Sequence, residues 1–118
     1  MSKSFEDLEV WSRSRALAVA VCREFKDCRD FGLKDQITRS AISVPSNIAE
    51  GAERNTKGEF VQFLGYAKGS LAELRTQLSI AQELGYLGQA NAPAMLSEAE
   101  QLSRMLFRLS QSQQASSP

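Results

Sequence analysis

Leu33, Ile37, Ala41, Val44 and Ile48 are spaced four, four, three and four residues apart, and Pro45 stands inside the run they make. That spacing marks one face of an α-helix. A proline in a helix interior lacks the N–H that bonds four residues back, and its ring crowds that carbonyl, at a cost of about 3 kcal/mol. A full break at Pro45 would throw the two halves of the stripe out of phase. The stripe instead runs on in register, which predicts one kinked helix over about residues 33–54. The segment around the proline reads SVPSNIAEG and is crowded with polar groups, so something must offset the proline.

Three more segments repeat with helical period, and none alternates with period two. Ser4 and Asp7 suggest a weak capping box opening a first helix near Phe5. Leu8, Trp11, Ala18, Cys22 and Phe25 share its apolar face, widened by Leu17 and Val21. It should end near residues 28–30, with Gly32 as the turn residue. Thr56 and Glu59 form a capping box for a third helix of about 28 residues, roughly 42 Å long. Phe60, Leu64, Leu71, Leu74 and Leu78, with Ala67 and Ala81, give it a heptad-like seam that closes at Gly85. A fourth helix carries Pro93 in its first turn and buries Met95, Ala99, Leu102, Leu106 and Leu109. Short connections between amphipathic helices predict an all-α, antiparallel up-and-down four-helix bundle over residues 1–110. Residues 111–118 are small and polar and read as a disordered tail.

Composition removes several chemistries. The chain of 118 residues has 14 basic and 14 acidic side chains, and the signs balance helix by helix. A phosphate-binding surface would ordinarily show a basic excess. With no histidine, the commonest general base and zinc ligand are both missing. Cys22 and Cys28 are six residues apart on a helix, point about 120° away from each other, and read as small side chains in a reducing cytosol. The charged start MSKSFEDLEV is no signal peptide, and no apolar run is long enough to span a membrane. No metal, cofactor or catalytic residue is expected. Serines 43, 46 and 70 have no histidine to activate them, and Glu50 and Glu73 lack further ligands. Arg13, Arg15, Arg23, Lys26 and Arg29 alternate with acids and read as a salt-bridged surface.

Two polar stripes stand out. Arg39, Ser43, Ser46, Asn47, Glu50 and Arg54 recur at helical spacing on the second helix, and Gln62, Tyr66, Ser70, Glu73 and Gln77 on the third. A solvated face is the plain reading. Yet these are short side chains mixed with Pro45, Gly51, Gly65 and Gly69, unlike a Lys/Glu-rich exposed face. The composition favours a semi-buried seam between helices or subunits. Gly65 and Gly69, four residues apart, suggest that another backbone packs closely there, because each costs a helix about 1 kcal/mol relative to alanine.

Phe5-Glu6-Asp7-Leu8 with Trp11, then Gly32-Leu33, Gln36-Ile37, Arg39 and Ala41, lead into SVPSNIAEG. Downstream come Phe60 to Leu64, Ala67, Gly69-Ser70-Leu71, Glu73-Leu74 and Leu84-Gly85-Tyr86. From Phe5 to about Leu109 this pattern resembles the 23S ribosomal RNA intervening-sequence proteins. The resemblance implies an up-down bundle assembling into a ring-like homopentamer. It also implies a gene often found within an intervening sequence of ribosomal RNA. Kinship with accessory proteins of diversity-generating retroelements, which look like basic barrels engaging a reverse transcriptase and nucleic acid, is implied too. This chain departs from those barrels in its neutral charge, and the family offers no catalytic residues to carry over.

Two expectations follow. The first is a non-enzymatic cytoplasmic homo-oligomer whose seam, Arg39, Ser43, Ser46, Asn47, Glu50, Arg54, Tyr66, Ser70 and Glu73, meets another subunit or a partner. The second is an RNA- or DNA-binding module that gathers arginines on one rim of an oligomer, with affinity falling as salt rises.

Overall fold

The apolar stripes meet along one long axis in the computed structural model, which describes residues 4–115. Its elements are a 3-10 turn (Phe5–Asp7) and four helices, α1 (Glu9–Glu24), α2 (Phe31–Ala52), α3 (Lys57–Glu83) and α4 (Ala92–Ala115). No strand occurs among the described residues. The helices pack into a rod of 50 × 20 × 19 Å.

Local signals explain most boundaries. Thr56 caps α3 as expected, its hydroxyl accepting from the Glu59 N–H at 3.1 Å. Gly85 ends α3 at φ 81°. There the Tyr86 N–H reaches the Ala81 carbonyl at 2.8 Å and the Gly85 N–H reaches that of Gln82 at 3.1 Å, a Schellman closure. At the other end of the chain the expectation fails. Leu8 is extended (φ −79°, ψ 124°), so the opening 3-10 turn is separate from α1. Ser4 caps that turn through the Glu6 N–H, and the capping box with Asp7 does not form. Helix α1 also stops early, at Glu24, and the turn that follows folds Phe25 fully into the core. Asp30 then belongs to the next helix: its carboxylate accepts from the Leu33 N–H at 3.1 Å and starts α2 two residues sooner than expected. Gly32 accordingly lies in the first turn of α2 rather than in a loop.

Helix α2 is one element through Pro45. Pro45 leaves the Ala41 carbonyl without its helical donor, and three side chains of the SVPSN segment bond other carbonyls around it. The Ser46 hydroxyl donates to the Ile42 carbonyl at 2.9 Å and the Asn47 amide to the Ser43 carbonyl at 2.9 Å. Ser43 reaches the Ser40 carbonyl at 3.4 Å. Much of the polarity around the proline is therefore spent on the helix's own backbone.

The core joins all four helices. Ile37, Ala41, Val44 and Ile48 of α2 meet Leu64, Leu71, Leu74 and Leu78 of α3, and Ala99, Leu102 and Leu106 of α4. In α1 the buried positions are Val10, Ser14, Leu17, Ala18 and Val21. Trp11 and Cys22, expected at the centre of that face, are only half-buried at its edge. Residues 111–115, expected in a disordered tail, continue α4, with the Ser112 hydroxyl donating to the Leu109 carbonyl. Residues 116–118, the rest of that tail, lie outside the described residues.

Candidate functional site

Helix α2 has a tight flank and an open one. On the tight flank it meets α3 at Gly51. A Cβ there would stand 2.6 Å from the Phe63 Cβ, so only glycine lets the helices come this close. No signal in the sequence had distinguished Gly51 from the other glycines of the polar segment. Along the same flank the hydroxyls of Ser43 and Ser70 hydrogen-bond to each other. Farther along, Arg54 pairs with Glu50 at 2.7 Å and lies 4.8 Å above the Phe63 ring, which meets Tyr66 edge-on at 5.2 Å. At the opposite end, Gln36, Arg39, Ser43, Glu73 and Gln77 line a shallow depression. The Gln77 amide oxygen is buried in it without a hydrogen-bond partner among the described residues.

Eight of the nine expected seam residues thus lie on the α2–α3 side or on the adjoining outward face. Ser43, Asn47 and Ser70 are half-buried, while Arg39, Glu50, Arg54, Tyr66 and Glu73 are exposed. Arg39 turns to Asp35 of its own helix, at 3.2 Å. Within one chain, then, the stripe is not a buried seam. Ser46 stands apart, on the α1 side of α2. Gly65 and Gly69 face no other helix of the chain: apart from their chain neighbours and own helix backbone, nothing lies within 4 Å of a Cβ built on either. Along α3 and its C-cap, Gln62, Tyr66, Gly69, Glu73, Ile80 and Leu84 recur on the side directly opposite Leu64, Leu71 and Leu78, and all six are exposed. The apolar members are exposed by 49% (Tyr66), 47% (Ile80) and 55% (Leu84), and the sequence reading had missed the last two.

The open flank of α2 faces α1. A groove of about 640 Å³ runs between them, floored by Trp11, Ala18, Val19, Ile42, Pro45 and Ala49. Phe5 closes over Trp11 edge-on at 5.1 Å. Arg15, Arg23 and Lys26 line the rim, and no carboxylate lines the groove at all. None of the three cations has an ion pair among the described residues. This overturns the salt-bridged surface expected for α1. Among the described residues only Arg13 of the five is paired, to Glu9 of its own helix at 3.6 Å and, the other way, to α4. There it forms a two-pronged bond with Glu98, Nε to Oε2 at 2.9 Å and Nη2 to Oε1 at 2.6 Å, and a further bond to Gln101 at 2.9 Å. The hydrogen bond from Arg13 holds the Glu98 carboxyl below its ordinary pKa, and Glu98 in turn raises that of the guanidinium. Helical register from Val10 rather than Trp11 would have placed the three free cations on one side, because positions 15, 19, 23 and 26 then follow one stripe.

Among the described residues no three His, Cys, Asp or Glu side chains converge to hold a metal ion, and no helix is long and apolar enough to cross a membrane. Cys22 and Cys28 are free and half-buried, Cys22 beside the groove.

Comparison with known proteins agrees with the architecture. The family model of the 23S rRNA-intervening sequence protein matches residues 6–108. A crystal structure of a protein of unknown function from the S23 ribosomal protein family of Bacteroides thetaiotaomicron VPI-5482 superposes with a TM-score of 0.80. The match covers 85% of this chain and 96% of that one at 19% identity, and so speaks to the fold alone. No curated protein matches the sequence.

Proposed function

The chain belongs to the 23S rRNA-intervening sequence protein family, and from that premise we propose that it is a non-enzymatic cytoplasmic assembly protein, a homo-oligomer with five subunits. The helices run up and down in antiparallel order, with α2 bent at Pro45. Contacts such as Arg13 with Glu98, Glu24 with Asn91, and Gly51 beside Phe63 support that course. Subunits meet through the outward faces of α2 and α3, where Arg39, Ser43, Asn47, Glu50, Arg54, Tyr66, Ser70 and Glu73 lie.

One observation carries the reading. The outward stripe of α3 combines exposed Tyr66, Ile80 and Leu84 with two glycines that nothing in the chain requires. Exposed apolar side chains beside glycines without a Cβ neighbour suit close approach by another subunit better than contact with water.

Light scattering at micromolar concentration tests the proposal. A mass five times that of the 13.0 kDa chain is expected, and a stable monomer would overturn it. The exposed Glu50–Arg54 pair makes Glu50→Leu a useful companion. Its effect on the stability of one chain should stay within about 1 kcal/mol, while the assembly weakens.

A second reading, nucleic-acid binding through a basic rim, draws on the unpaired Arg15, Arg23 and Lys26. It is the weaker one, because Arg13, Arg39, Arg54 and Arg104 are all engaged by carboxylates. It predicts RNA affinity that falls steeply with added salt.

A further inference from the structure

The α1–α2 groove and the outward stripe of α3 are opposite in charge and alike in apolar character. The groove offers an apolar floor between Trp11 and Ile42, rimmed by three cations with no carboxylate among them. The α3 stripe offers Ile80 and Leu84, about half exposed, flanked by the carboxylates of Glu73 and Glu83. Neither carboxylate has an ion pair or hydrogen bond among the described residues. The chain is neutral as a whole, yet these two patches carry opposite sign. We infer that the groove of one copy receives the α3 stripe of a second copy. Ile80 and Leu84 fill the floor, and Glu73 and Glu83 meet the cationic rim of Arg15, Arg23 and Lys26. This rests on the reading that the chain assembles, and it takes from the proposed face the α3 part, with Tyr66 and Glu73, and sets it against the α1–α2 groove of the next copy.

The chemistry accounts for features that the single chain leaves idle. Burying the exposed parts of Ile80 and Leu84 removes apolar surface from water at about 25 cal/mol per Å². Opposite charges at the rim fix which way the stripe lies and reject a groove-to-groove pairing, where cations would face cations. Gly65 and Gly69, bare on the same stripe, let the partner's backbone come close. The two patches are different surfaces of one chain, so the contact is head-to-tail. Such contacts generate a closed ring when the rotation per subunit divides the circle, and a filament otherwise.

Charge reversal and its rescue test the inference. Arg15, Arg23, Lys26, Glu73 and Glu83 are all exposed, so reversing them should leave helix content by circular dichroism unchanged. The triple variant Arg15→Glu/Arg23→Glu/Lys26→Glu should lose assembly and scatter as a 13.0 kDa chain. Adding Glu73→Lys and Glu83→Lys to it should restore the larger mass. Ala49→Leu, which fills the floor without altering charge, should also disrupt assembly. If the triple variant assembles like the wild type, the inference fails while the assembly reading stands. If assembly is lost but the acidic reversals do not restore it, the α3 stripe is not the occupant. A wild-type chain that stays monomeric overturns both. A monomer that binds a 20-nucleotide single-stranded RNA, and loses that binding in the triple variant, assigns the groove to nucleic acid instead.

Discussion

Toward α4, helix α1 presents Arg13, gripped by both oxygens of Glu98 and by Gln101. Toward α2 it presents Arg15 and Arg23, with Lys26 in the turn that follows, beside an apolar groove that holds no acid. The same helix supplies both flanks from the same residue types. One flank is closed by the chain itself, and the other is left with its charges and apolar floor unmatched. Local charge balance along a sequence therefore says little about balance in space. Helix α2 repeats the contrast, tight against α3 at Gly51 and open toward α1 at Ile42, Pro45 and Ala49.

The largest test of that contrast is on the closed side of α2. Gly51→Val puts a Cβ 2.6 Å from the Phe63 Cβ, which the helices can relieve only by separating. A loss of about 1–3 kcal/mol is expected from overpacking, outweighing the small gain in helix propensity. Urea denaturation measures it, and an unchanged midpoint would show that this flank is no tighter than the other.

Next comes the closed side of α1. Glu98→Gln should cost about 1 kcal/mol, since the charge-assisted pair is partly exposed. The folded carboxyl has its pKa lowered by the Arg13 hydrogen bond. Its contribution is therefore complete above the ordinary carboxylate range and is lost as pH falls through the folded value. The gap between wild type and Glu98→Gln should be full at pH 7 and close in strong acid. A gap independent of pH would mean that the ion pair does not hold this flank.

A smaller effect, of opposite sign, belongs to the bare α3 stripe. Gly69→Ala meets no other helix of the chain, and the glycine's φ is not in the left-handed region. The dissociated subunit should gain up to about 1 kcal/mol in helix stability. The assembly should weaken if another backbone approaches there. A gain in both states would leave the stripe facing solvent.

The four helices were legible because their stripes are long and periodic, and the caps at Thr56 and Gly85 are local chemistry. The extent of α1 was harder to read. Trp11 and Cys22 suit an apolar face by type, and they pulled the expected stripe away from Val10 and Ser14. That shift hid the groove: Leu17, Val21 and Phe25 are buried as expected, but Trp11 and Cys22 line the groove. The polar stripe around Pro45 was visible, yet its purpose was split. Ser43, Ser46 and Asn47 bond the backbone near the proline, whereas Glu50 and Arg54 pair at the surface. Sequence spacing cannot separate a side chain that bonds its own helix from one that waits for a neighbour. Gly51 differs from Gly65 and Gly69 only through the distance to α3, which no local pattern encodes.

Trp11, the one tryptophan of the chain, sits half-buried in the open groove and reports on it directly. Its emission and acrylamide quenching, followed by dilution through the range where light scattering shows dissociation, test whether assembly covers that groove. Quenching should rise and emission should shift to the red as the mass falls to that of one chain. A Trp11 signal that stays constant while the mass falls would contradict the account.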